Sequence, residues 1–130
     1  MSWLPTIDEM VTAVYNTDPS AFMKLKKIPG PNGGAYMKRD GDNWRVVPKF
    51  AAMRVFLDAV RRCPELDEPY IRVAFRKRCT KVFDTLMEKH CTIMYHGGSC
   101  SSRALRIGYT MPDSFNMYTL MDELVACGLY

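Results

Sequence analysis

The sequence predicts a mainly α fold: a small helical bundle around two central antiparallel helices, with a peripheral β-hairpin near residues 35–47. Two observations carry this. Residues 49–63, flanked by Pro48 and Pro64, and 68–95, with Pro69 at its start and Gly97-Gly98 beyond its end, place apolar side chains at helical spacing. Asp40-Gly41-Asp42-Asn43 separates two short runs holding Tyr36, Trp44, Val46 and Val47, a hairpin signature.

Taken in order, Thr6-Ile7-Asp8-Glu9 reads as a capping box that starts a helix over about 6–16. Asp18-Pro19 supplies a second N-cap with proline at the first helical position, and that helix is expected to reach Lys27. The Pro/Gly run at 29–34 excludes regular structure. The hairpin follows, with Gly41 supplying a positive φ. In 49–63, Phe50, Met53, Leu57 and Val60 form one stripe, Arg54, Asp58, Arg61 and Arg62 take the remaining face, and Pro64 stops the helix. In 68–95, Ile71, Phe75, Cys79, Val82, Leu86 and Ile93 keep helical spacing, with no breaker before Gly97-Gly98. Asp113 caps an expected last helix running to Cys127, closed by Gly128.

The length fits a single domain over 1–130: an N-terminal extension over 1–48, the central helices over 49–95, and a C-terminal loop and helix over 96–130. Apolar residues make up 48% and charged residues 25%, ordinary globular usage that argues against disorder. Residues 24–81 hold fifteen Lys or Arg against six acids, and the rest of the chain three against eight. That asymmetry suits an acidic partner for the middle of the chain. Five widely spaced cysteines, several on apolar stripes, suit reduced buried thiols better than a disulfide framework. The first ten residues lack the basic start of a signal peptide, and no stretch has the roughly 18 apolar residues of a membrane span.

Residues 49–78 carry a resemblance to a known family. Ala52-Met53-Arg54 is followed by Phe56-Leu57, the basic pair Arg61-Arg62 and the break Cys63-Pro64, and then by Ile71-Arg72-Val73-Ala74-Phe75-Arg76. This resembles the mitochondrial LYR-motif family, in which Leu-Tyr-Arg opens one helix and an Ile-Arg-x-x-Phe-Arg signature lies on the next. The chain departs from it at Ala52-Met53, at Cys63 where an aromatic is usual, and in lacking a break after Arg78. The resemblance implies a non-enzymatic scaffold on the matrix side of mitochondria, without a cleavable presequence. It would dock acyl carrier protein as an accessory subunit of a respiratory-chain complex such as complex I, or as an assembly factor. Its partners would be acyl carrier protein and subunits of a larger membrane complex. It would need no cofactor of its own, since the acylated phosphopantetheine belongs to the carrier. Arg54, Arg61, Arg62, Arg72, Arg76 and Lys77 would bind the partner, and Met53, Phe56, Leu57 and Phe75 would line the acyl chain. Arginine suits that surface because its planar fork binds carboxylate and phosphate bidentately.

Other chemistries are thinner. Cys91, His96 and Cys100, with His90 beside them, are the nearest set to a zinc site, but no Cys-x2-Cys pair is present. A Cys–His nucleophile at Cys91 or Cys100 lacks an orienting acid nearby, and two histidines leave little for acid–base catalysis. The glycines at 30, 33 and 34 precede no Gly-Lys-Ser/Thr, so they form no phosphate loop. Two other function classes stay open. One is a nucleic-acid-binding, ribosomal-type protein using Lys38, Arg39, Trp44 and Arg45; the other is a small viral matrix or accessory protein.

Overall fold

The computed structural model describes residues 4–29 and 35–92, together with the helical positions Asp122 and Val125. The fold is mainly α, with a small antiparallel sheet at its side.

Helix α1 (Ile7–Thr17) starts where the capping box places it. The Glu9 backbone N–H donates to Thr6 Oγ1 at 3.1 Å, and the Thr6 N–H donates to Glu9 Oε1 at 2.9 Å. Met10, Val11 and Val14 turn inward. Asp18 caps the short α2 (Pro19–Met23), accepting from the Ala21 N–H, with Pro19 in the first turn. This helix ends well short of Lys27. Residues Leu25–Ile28 form strand β1, which pairs antiparallel with β2 (Ala35–Asp40), and β2 pairs with β3 (Asn43–Val47). The helix-forming residues Leu25, Lys26 and Lys27 are overridden by pairing: the register matches Lys27 to Tyr36 and Ile28 to Ala35. The expected hairpin is therefore two strands of a three-stranded sheet in the order β1-β2-β3. Gly41 holds a φ of +62° at its turn, a conformation that costs glycine little.

Helix α3 (Lys49–Arg62) stops at Cys63, and a 3-10 turn (Pro64–Leu66) leads into α4 (Pro69–Leu86). The expected helix over 68–95 ends earlier. A π-helical turn (Met87–Cys91) widens its last part, and Thr92 is extended, bridging in parallel to Lys27 of β1. The Thr92 hydroxyl donates to the Met87 carbonyl at 3.0 Å, satisfying an acceptor that the ending helix leaves open. The helix expected after Asp113 lies outside the described residues, except for Asp122 and Val125.

One apolar cluster runs from Met10 to Cys91 and takes in α1, α2, the sheet, α3 and α4. Helix α1 lies closest along α4, whereas α3 meets α4 through rings. Phe56 stacks on Phe75 with centroids 6.1 Å apart and meets Phe83 edge-on at 5.4 Å. Tyr36 of β2 stacks on Phe83 at 6.2 Å, which ties the sheet to the same group. Among the described residues no polar or charged side chain is fully buried. The described core is held mainly by shape and apolar burial.

Two stability outcomes follow. Phe56→Ala is expected to cost about 3–5 kcal/mol in chemical denaturation, because it removes a ring with 0% exposure that touches two others; a loss under about 1 kcal/mol would contradict this packing. Thr6→Ala is expected to cost about 1 kcal/mol through the lost cap.

Candidate functional site

Helix α4 buries Ile71, Phe75, Cys79, Val82, Phe83 and Leu86. Residues on its opposite side fall three or four positions apart: Tyr70, Val73, Lys77 and Lys81 share one outer face. Tyr70 is 41% and Val73 44% exposed, and both lysines are exposed. The inward stripe claims 71, 75, 79, 82 and 86, so an aromatic and a valine are left outside among cations. Among the described residues, nothing covers this amphipathic strip.

The six cations expected to bind a partner divide between two states. Four are engaged inside the molecule. Arg54 lies over the Phe50 ring at 4.6 Å, and Arg72 pairs with Asp67. Arg62 donates to Asp18 Oδ2 at 3.0 Å and to the Asp58 carbonyl at 3.2 Å. Arg76 is half-buried and also has an interaction partner. Arg62 holds the Asp18 carboxyl below its usual range. Arg61 on α3 and Lys77 on α4 are exposed, and among the described residues neither makes an ion pair. Arg78 reaches back to α1, donating to the Pro5 carbonyl at 3.4 Å. The exposed cations of α4 are thus Lys77, Arg78 and Lys81 rather than Arg72 and Arg76 of the family-like signature, and of the three Arg78 is bonded to Pro5. The helical wheel could have singled out Lys81, Tyr70 and Val73, because each falls outside the apolar stripe.

Met53, Phe56, Leu57 and Phe75, expected to line an acyl chain, are all within 1% of full burial and belong to the core cluster. Neither groove described below is lined by any of them.

On the sheet, Lys26 Nζ sits 4.1 Å over the Trp44 ring. Arg39 pairs with Asp42 at 3.9 Å and Arg45 with Asp40 at 3.6 Å. A nucleobase stacking on that Trp44 face would first displace Lys26, and two of the three sheet cations that would grip phosphates, Arg39 and Arg45, already have local partners.

The π-helical turn separates the two members of the expected metal set that lie among the described residues. His90 stacks on Tyr15 with centroids 3.9 Å apart, and desolvation followed by Lys89 pushes its pKa down. Cys91 faces inward, its thiol 3.5 Å from the Phe22 carbonyl oxygen it donates to, and burial pushes that thiol up to about 11. His96 and Cys100 lie outside the described residues. Burial also pushes Cys63 up, and its thiol donates to Glu65 at 3.3 Å. Thiols held in the protonated form are poor nucleophiles and poor metal ligands at neutral pH.

Grooves among the described residues open on the surface. One, of about 430 Å³, runs along α1 between Asp8, Glu9, Ala13 and the 3-10 turn residues Glu65 and Leu66. Another, of about 250 Å³, is lined by Asp18, Lys24, Lys38, Asp58 and Arg62 around Val55. Its acids and bases face one another. No described helix is long and apolar enough to cross a membrane. Comparison of the chain with protein-family models, curated proteins and solved structures finds no match.

The Cys91 geometry gives a pH dependence of definite sign. Between the ordinary thiol value of 9.0 and about 11, the folded chain keeps a proton that the unfolded chain releases. Stability is therefore expected to fall as pH rises through that window and to be insensitive to this group below it. Urea titrations from pH 8 to 11 read the effect directly. Cys91→Ala should flatten the slope, and an unchanged slope would show that another group causes it.

Proposed function

We propose that this chain works by binding rather than by catalysis, as a docking scaffold whose outer α4 face receives an acidic partner. One observation carries the reading: Tyr70 and Val73 stand exposed in line with Lys77 and Lys81, opposite the face that builds the core. Apolar anchors rimmed by charge suit association with another macromolecule. The lysines would steer an acidic surface toward the strip, and the tyrosine would anchor it.

The partner named by the LYR-like signature is acyl carrier protein, whose acidic helix would lie along α4. On that reading the chain serves in mitochondria as an accessory subunit of a respiratory-chain complex or as an assembly factor. The departures from the family pattern bear on the acyl chain more than on the docking face. Met53, Phe56, Leu57 and Phe75 are packed, so an alkyl chain would have to part α3 from α4 to reach them. Protein-surface contact would therefore account for most of the affinity, with the acyl group adding little.

Isothermal titration of the chain with apo, holo and acylated carrier protein tests this. Lys77→Glu combined with Lys81→Glu is expected to weaken binding at least about tenfold, roughly 1.4 kcal/mol. The acylated and apo carriers are expected to differ by less than that. Binding that survives the double reversal would remove α4 from the interface, and absence of binding to all three forms would remove the carrier as partner.

A further inference from the structure

The groove on α1 and the outer strip of α4 are opposites in charge and in shape. Asp8, Glu9 and Glu65 rim the groove, and Met10, Ala13 and Leu66 form its apolar floor. The strip presents two exposed hydrophobic side chains beside two lysines. The groove's volume of about 430 Å³ lies within the roughly 300–1,000 Å³ of pockets that enclose small molecules, so one tyrosine ring fits with room to spare.

Within one molecule the two surfaces cannot meet. Helix α4 is fixed by its buried stripe, with α1 packed along it and Arg78 bonded to Pro5. A rigid helix cannot turn its outer face toward a groove on its neighbour. Among the described residues, the complement is available only on another copy.

We propose that copies of this chain associate head to tail, Tyr70 of one copy entering the α1 groove of the next while Lys77 and Lys81 face the groove's carboxylates. Such an interface is heterologous: an open assembly keeps an unused groove at one end and an unused strip at the other. It extends to a ring or a fibre rather than stopping at a dimer. Exposed ion pairs are individually weak and screened by salt, so assembly rises with concentration and dissolves as salt is added. The strip is also the surface proposed to bind the acidic partner, so that partner would terminate a growing assembly. The self-association does not rest on that reading.

Sedimentation velocity over a concentration series at low and high salt tests the proposal with two neutralised forms. One carries Asp8→Asn and Glu65→Gln; the other carries Lys77→Gln and Lys81→Gln. Glu9 is left in place because it closes the capping box. Wild type is expected to give a concentration-dependent series that collapses to monomer in about 0.5 M salt, where the screening length falls to a few ångströms. Each neutralised form alone is expected to stay monomeric, with its dissociation constant raised at least tenfold. An equimolar mixture retains one intact groove and one intact strip, and is expected to stop at a one-to-one dimer. That recovery also shows both forms to be folded. Wild type that remains monomeric throughout, a neutralised form that assembles like wild type, or a mixture that stays monomeric would each overturn the proposal. The groove form keeps its α4 strip, so its titration with carrier protein reports on partner binding separately.

Discussion

Phe83 is the point at which α3, the sheet and α4 are fastened together. Phe56 of α3 meets its edge, Tyr36 of β2 stacks on its face, and Lys49 Nζ lies 5.9 Å from its centroid. Lys49 also pairs with Asp84, the next residue along α4, at 4.0 Å. The start of α3, the middle of α3 and the central strand thus converge on one turn of α4. Aromatic rings give a core this small much contact area with few torsions to freeze. Because Phe83 and its neighbours look inward, α4 has no choice over which residues it presents to solvent. The outer strip is a by-product of the inner one.

Charge is distributed in keeping with that constraint. Most of the arginines serve within the molecule. Arg62 joins the end of α3 to the cap of α2, Arg72 joins α4 to the turn before it, and Arg78 joins α4 to the entrance of α1. Arginine's several donors and delocalised charge suit it to such bridging. Lysine, with a flexible stem and a strongly hydrated head, is left to face water at 77 and 81. The acidic residues of α1 sit in its first turn, where the helix dipole favours them, and there they also rim the groove.

Much of this architecture was legible in the sequence where local chemistry decides it. The Thr6–Glu9 box, the Asp18-Pro19 start, the Gly41 turn and the Pro64 stop each depend on a few adjacent residues. What escaped depends on residues far apart. Leu25 to Ile28 carry helix-forming side chains, and only pairing with β2 and the bridge to Thr92 makes them a strand. The end of α4 escaped for the same reason: nothing between Met87 and Thr92 breaks a helix in isolation. At the surface, charge counting found the right region but could not separate bridging arginines from exposed lysines. That distinction needs the positions of Asp18, Asp67 and Pro5, which lie on other elements.

The turn at Gly41 and Asp42 has a use in the laboratory. Its backbone needs the left-handed conformation, yet a β-carbon placed there would meet nothing within 4 Å. The position selects for backbone freedom and not for volume, and both turn residues are exposed. It projects from the sheet at the end remote from the buried pair Tyr36 and Val47. An epitope or fluorophore-bearing loop inserted there would leave the α1 groove and the α4 strip intact, so the chain could be labelled and followed without disturbing either surface.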